Sequence, residues 1–256
     1  MINKNEDINK VRRVHMIDTI RGIIIIGVVV YHTLFDLYDL FDYDLYWMES
    51  AFADFIRDFG AGVLIFISGI SSLLSRNNIK RGIKTIICAL ILSLVTYYFV
   101  ENNFIFIGIL HFLGVSMLMY GLVFRYINKL PRIPTAIILF VIFVLTYNVS
   151  NGYFGIKGIC EIGVPVWMRD STFDYIMGFD GGNIFSADYY PFIPWTFLFL
   201  CGTLIGNYVK EGKIPEFLYK NICPPITYIG RKTLIIYLLH QPIIYGLLLA
   251  YSHIKK

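Results

Sequence analysis

An arginine and a histidine eleven residues apart, Arg21 and His32, lie within one apolar run of this 256-residue chain. Asp18 precedes the arginine by three residues and Asp36 follows the histidine by four. In an α-helix, eleven residues return to nearly the same face after about 16 Å of rise, so one face carries polar chemistry at two depths. A His and an Asp spaced i,i+4 share a face, and the carboxylate can fix the imidazole tautomer and raise its basicity, as a general base requires. The plainer account is a polar pair hydrated at the edge of a span. Asp18 and Arg21 can pair in the same way, and an interfacial salt bridge with Arg21 snorkelling explains them equally well.

Other polar residues interrupt apolar runs further along. His111 falls near the expected depth of His32, so two histidines are expected at one level. His240 is followed by Gln241 and Pro242; proline removes a backbone donor and frees a carbonyl, which is tolerated facing protein or a cavity. Alone, His240 reads as a packed, hydrogen-bonded histidine. Asp54, Arg57 and Asp58 are i,i+3/i,i+4 partners. The segment from Asp188 through two tyrosines and two prolines to Trp195 is an aromatic belt or the rim of a substrate site.

The elements that must position these residues are membrane spans. The chain is 57% hydrophobic, 17% aromatic and only 16% charged, and its mean hydropathy of +0.63 lies outside the range of ordinary soluble domains. Seven apolar runs, near residues 17–38, 52–75, 83–100, 105–124, 133–149, 190–209 and 232–251, are long enough to cross a core of about 30 Å, and only helices satisfy the backbone in such runs. The predicted fold class is therefore all-α, a polytopic bundle of about seven spans.

Lysine and arginine near span ends are retained on the cytoplasmic side. Lys4, Lys10, Arg12 and Arg13 in the tail, Arg76, Lys80, Arg81 and Lys84 in the second loop, Arg125, Lys129 and Arg132 in the fourth, and Lys210, Lys213, Lys220, Arg231 and Lys232 in the sixth belong inside. The intervening loops are acidic: Asp39, Asp42, Asp44 and Glu49, then Glu101, then Glu161, Asp170, Asp174, Asp180 and Asp188. This pattern predicts a cytoplasmic N-terminus and an external C-terminus, with Lys255 and Lys256 against the rule. The net charge of +4 follows from this topology, with contact to anionic headgroups, and does not point to nucleic acid.

No repeat or linker divides the chain, so residues 1–256 read as one domain. Its exception is a glycine- and aromatic-rich external loop at about 150–190, which is too aromatic for disorder and is expected to form an ordered lid. Cys88, Cys160, Cys201 and Cys223 have no paired spacing, and neither a disulfide framework nor a metal motif is expected.

Five motifs in order carry a family resemblance: Asp18-Thr-Ile-Arg21-Gly22 with His32 and Asp36; Phe66-Ile-Ser-Gly69-Ile-Ser; Ile107-Gly-Ile-Leu-His111-Phe-Leu-Gly-Val-Ser; Asp188 to Trp195; and Gly230-Arg-Lys-Thr-Leu-Ile-Ile-Tyr-Leu-Leu-His240-Gln-Pro. Together they resemble the bacterial branch of the heparan-α-glucosaminide N-acetyltransferase catalytic-domain family. The spacing of Arg21 and His32 is similar to the signature of the wider transmembrane acyltransferase group. One departure is present: lysosomal members carry Asn at the position of His32 and a histidine in the following loop, whereas loop 38–51 here has none.

The resemblance implies an integral membrane acetyltransferase of the cell membrane, multi-pass, that takes acetyl-CoA as co-substrate without a metal and acetylates a sugar or glycan. His32, Asp36 and His111 are its expected catalytic set, with His32 as base or acyl carrier and His111 aiding the oxyanion or acceptor. Arg21, Asp18, Arg76, Arg81, His240 and Arg231 are expected at the donor, and Arg57, Asp188 and Trp195 at the acceptor. Further partners are membrane lipids and, as one option, a second copy of the chain. The alternative is a proton- or ion-coupled transporter using the intramembrane histidines and aspartates, although no inverted repeat accompanies them.

Overall fold

The computed structural model describes residues 12–39, 41, 43–99, 104–182 and 184–255. Lys4, Lys10, Asp42, Glu101 and Lys256, used above to orient the chain, lie outside the described residues. Helices α1 (His15–Asp39), α2 (Ala51–Leu73), α3 (Asn78–Phe99), α4 (Ile109–Leu122) and α5 (Arg132–Thr146) come first. Then follow strands β1 (Tyr153–Ile156) and β2 (Cys160–Gly163) and helices α6 (Thr172–Met177), α7 (Phe192–Lys210), α8 (Pro224–Arg231) and α9 (Thr233–Lys255). Six helices are long and apolar enough to cross a membrane, and α4 is a shorter apolar helix. The chain is thus an all-α polytopic membrane protein of about seven spans.

Several boundaries depart from the hydropathy pattern for local reasons. α3 begins five residues before the apolar run because Asn77 Oδ1 accepts the Lys80 N–H at 2.8 Å, capping the first turn. Lys80, Arg81 and Lys84 therefore ride on the helix instead of in a loop. α4 starts at Ile109 and not at Ile105, and its 14 residues rise only about 21 Å. Residues 104–108 are instead held beside 186–188: Ala187 N–H donates to the Phe104 carbonyl at 3.1 Å, and the Phe106 and Ile107 N–H groups donate to Ser186 Oγ, each at 3.1 Å.

The chain divides into two compact units, one formed by Met1–Leu64 with Tyr208–Lys256, the other by Ile65–Asn207. In the first, α8 packs on α1 with its backbone almost touching. A Cβ on Gly22 would overlap the Ile226 carbonyl oxygen, and one on Gly230 would overlap that of Asp18. The Thr19 and Thr227 hydroxyls meet across this contact at 2.8 Å. Small residues at a crossing are how helices approach closely in lipid.

The second unit uses the same device twice. Gly69 and Gly202 face the carbonyls of Phe199 and Phe66 reciprocally between α2 and α7, while Gly82 and Gly114 lie against each other's helices between α3 and α4. α3 buries Gly82, Thr85, Ala89 and Thr96 and turns Ile83, Ile87, Leu90, Ile91 and Leu94 outward. That inversion of small inside and large apolar outside suits a lipid-facing helix.

The segment after α5 is ordered. Its strands pair antiparallel from Tyr153↔Gly163 to Ile156↔Cys160, closing on Gly158 at φ 78°, where only glycine is unstrained. Ser171 and Asp174 form a capping box for α6. Val149, Val164 and Phe179 make a small core, joined by Phe154, Met168, Met177 and Ile193. Tyr175 and Tyr189 stack at 4.3 Å. Burial, then the nearby Asp180 carboxylate, pushes the Tyr175 phenol above its ordinary range. Burial, then the neighbouring Tyr175, raises Tyr189 likewise, against a lowering hydrogen bond with Ser150.

Candidate functional site

Two polar clusters occupy the first unit, both built on α1. At its His15 end, the Asp18 carboxylate is 5% exposed. It accepts from Arg13 Nε at 2.8 Å, lies 3.4 Å from Arg21 Nη1 and 3.6 Å from Arg231 Nε. Arg231 also donates to His15 Nδ1 at 3.3 Å. A buried carboxylate needs such partners, and among the described residues one aspartate meets three arginines here. Their side chains are 57%, 22% and 36% exposed for Arg13, Arg21 and Arg231 respectively, so their guanidinium groups can reach an anion as well as Asp18. The glycines that let α8 lie on α1 set this geometry, because Gly230 opposes Asp18 and Arg231 is the next residue.

About 16 Å along the same helix the second cluster joins α1 to α9. The His32 and His240 rings are 5.1 Å apart and tilted by 57°. Asp36, 2% exposed, accepts from Gln241 Nε2 on both its carboxylate oxygens, at 2.8 and 2.9 Å. His240, 8% exposed, donates from Nδ1 to the Tyr237 carbonyl at 2.7 Å. His240 Nε2 and Gln241 Oε1 are buried without a hydrogen-bond partner among the described residues.

This arrangement corrects two sequence expectations. Asp36 bonds Gln241 and not His32, since α9 brings an amide onto the carboxylate that a lone helix leaves to its i−4 neighbour. The ring packed on His32 is that of His240, a pairing the sequence did not indicate.

His111 belongs to the second unit, and both its nitrogens are engaged. Nδ1 accepts the Gly108 N–H at 3.2 Å, and Nε2 lies 3.3 Å from Ser93 Oγ, whose hydrogen goes to the Ile105 carbonyl at 2.7 Å. The ring is a clamp between α3 and the start of α4. Asp188 Oδ2 accepts the Ile109 N–H at 3.0 Å and so caps α4 with a favourably placed negative charge. Trp195 packs at 5.3–6.1 Å from the rings of Tyr190, Phe143 and Tyr147. Arg81 Nη1 donates to the Ser71 carbonyl at 3.0 Å, closing the turn between α2 and α3, and Arg76 is exposed on that turn. In the first unit Arg57 pairs with Asp54 and Asp58, both at 2.9 Å.

Of the predicted residues, the structure brings together Asp18, Arg21 and Arg231 in one cluster and His32, Asp36 and His240 in the other. Sequence reasoning missed Arg13, His15 and Gln241 as members. Gln241 had a signal, an amide between a histidine and a proline inside an apolar run. Among the described residues no three His, Cys, Asp or Glu side chains converge in a metal-binding group.

Apolar helices carrying a buried polar core define the class: a multi-pass membrane protein with chemistry inside the bundle. Residues 13–242 match the family described as heparan-alpha-glucosaminide N-acetyltransferase, catalytic, and the chain belongs to that family of membrane acetyltransferases. Neither a curated protein nor a solved structure matches the chain.

Proposed function

We propose that this protein moves an acetyl group from cytosolic acetyl-CoA to a sugar or envelope glycan on or near the outer face of a bacterial cytoplasmic membrane. The observation that carries this reading is the placement, along one helix, of an arginine cluster and a buried histidine–carboxamide–carboxylate group about 16 Å apart. Family membership supports acetyl transfer, and the positive-inside pattern supports a cytosolic side for the arginines.

In this reading Arg13, Arg21 and Arg231 hold the phosphates of acetyl-CoA, for which their positive charge and fork geometry are suited. His32 acts as base or acyl carrier at the acceptor end. His111 and Arg81 serve the framework, because their polar atoms are already engaged with protein groups. Within the second unit, the segment after α5 carries a cleft lined by Arg169, Asp170, Ser171, Tyr175 and Asp180, which offers hydroxyl-binding groups to a sugar.

The test is reconstitution in liposomes with radiolabelled acetyl-CoA and a panel of envelope sugars. Transfer that falls at least about 100-fold in His32→Ala is expected, the scale of a lost acid–base group. Neither transfer nor donor binding by the wild-type protein overturns the reading.

A further inference from the structure

Two buried lone pairs at the second cluster have no use in the fold. The Tyr237 carbonyl can only accept, so the contact at 2.7 Å fixes the hydrogen of His240 on Nδ1 and leaves Nε2 as an acceptor. Gln241 Nε2 donates to both carboxylate oxygens of Asp36, at 2.8 and 2.9 Å, which fixes the amide and turns Oε1 away from the carboxylate. Neither Nε2 nor Oε1 meets a donor among the described residues, whereas buried acceptors in proteins are nearly always paired. They belong to consecutive residues of α9 whose side chains meet α1, His240 at the His32 ring and Gln241 at Asp36. Two adjacent acceptors, held by two separate anchoring bonds, define a site for a group that donates.

We infer that His240 Nε2 is the base that takes the proton of the acceptor's hydroxyl or amine, that Gln241 Oε1 receives a hydrogen bond from the same acceptor, and that Asp36 is the positioning residue that sets the amide. The inference rests on the transferase reading above and deepens it by dividing the work between two histidines. The acceptor's oxygen or nitrogen forms a bond to the thioester carbonyl carbon as its proton passes to His240 Nε2. The C–S bond breaks with its electron pair leaving on the CoA sulfur. The imidazolium then returns the proton to that thiolate, so the products are the acetylated acceptor and free CoA thiol, with no oxidant or reductant. Where His32 carries the acetyl group first, one ring nitrogen bonds the carbonyl carbon as the C–S bond breaks, and the other releases its proton to the CoA thiolate. The acceptor then attacks as its proton passes to His240 Nε2, the bond to His32 breaks with its electron pair on the imidazole, and His240 returns the proton to that imidazole.

The test compares the full-length protein with His240→Asn, Asp36→Ala and Asp36→Asn in liposomes, using radiolabelled acetyl-CoA with a glucosaminide and the matching glucoside as amine- and hydroxyl-bearing probes. Asparagine keeps a short amide donor toward the Tyr237 carbonyl and removes the Nε2 acceptor. His240→Asn is expected to lower kcat about 100-fold or more while the KM for acetyl-CoA stays within about twofold. Asp36→Ala is expected to raise the acceptor KM about tenfold at unchanged donor KM, with Asp36→Asn recovering most of it. A structural role alone predicts equal losses on both substrates. An active wild-type protein whose His240→Asn variant keeps kcat within about threefold overturns the inference and leaves the transferase reading standing. A wild-type protein that transfers to neither probe nor to any envelope sugar overturns both. Should His240→Asn not survive purification, the split between acceptor and donor KM in the Asp36 pair decides.

Discussion

Gly230→Ala tests how α8 sets the donor end. A Cβ at this position would overlap the Asp18 carbonyl oxygen and approach the Gly22 nitrogen at 2.8 Å. Both are helical backbone, which cannot swing aside as a flexible side chain does, so α8 must move off α1. Overpacking costs about 1–3 kcal/mol, and a rigid obstacle puts this case at the upper end. For a chain of this size about 3 kcal/mol corresponds to a fall in Tm of roughly 6–12 °C. Gly27 in α1 is the matched control, because nothing lies within 4 Å of its added Cβ. There alanine removes the entropic cost of glycine in a helix and should stabilise by about 0.5–1 kcal/mol. Thermal unfolding of the two purified variants in one detergent gives opposite signs. Displacing Arg231 from Asp18 should also raise the KM for acetyl-CoA in Gly230→Ala and leave it unchanged in Gly27→Ala. Equal melting of Gly230→Ala and wild type would refute the packing argument.

Gln241→Leu strips the buried Asp36 carboxylate of its donor and should cost about 1–3 kcal/mol in the same melting assay, with Asp36→Asn in that background recovering part of the loss. Arg13→Ala and Arg231→Ala should each raise the acetyl-CoA KM roughly tenfold, the equivalent of about 1.4 kcal/mol, and the wild-type KM should rise with ionic strength as phosphate contacts are screened. The raised phenols of Tyr175 and Tyr189 mean that the folded outer segment holds their protons more tightly than the unfolded chain does. Their contribution is complete below about pH 10, the ordinary tyrosine value, and is lost as pH rises above it. Protection from hydrogen exchange across this segment, taken relative to the intrinsic base-catalysed rate, should therefore fall only above about pH 10, with the loss reduced in Tyr189→Phe.

Much of this was legible where periodicity and composition act alone. The register of α1 follows from the i,i+3 and i,i+4 spacing of Asp18, Arg21, His32 and Asp36, and both clusters form on the face so defined. What escaped depends on contacts distant in sequence. Asp36 was assigned to His32 because a single helix offers no better neighbour, whereas the donor is 205 residues away in Gln241. His111 carried the right chemistry at a suitable depth, and only the partners Gly108 and Ser93 reveal that its nitrogens are used. α8 was hidden by its eight residues and two leading prolines, too short and polar for a hydropathy window. Arg13 looked like one more cation of a basic tail until Asp18 was seen to be buried.

The cap that Asp188 places on α4 bears on the order in which the chain can be built into a bilayer. Ile109 N–H depends on a carboxylate made 79 residues later, and the extended run before it depends on Ser186 and Ala187. Until the ribosome has delivered that stretch, the leading end of the fourth segment has backbone donors that lipid cannot satisfy. The segment must then wait at the water interface or within the insertion machinery while α5 and the hairpin are synthesised. The expected outcome is that the fourth helix, made early, is seated late, so that truncations before residue 188 leave it exposed to water-soluble labelling reagents.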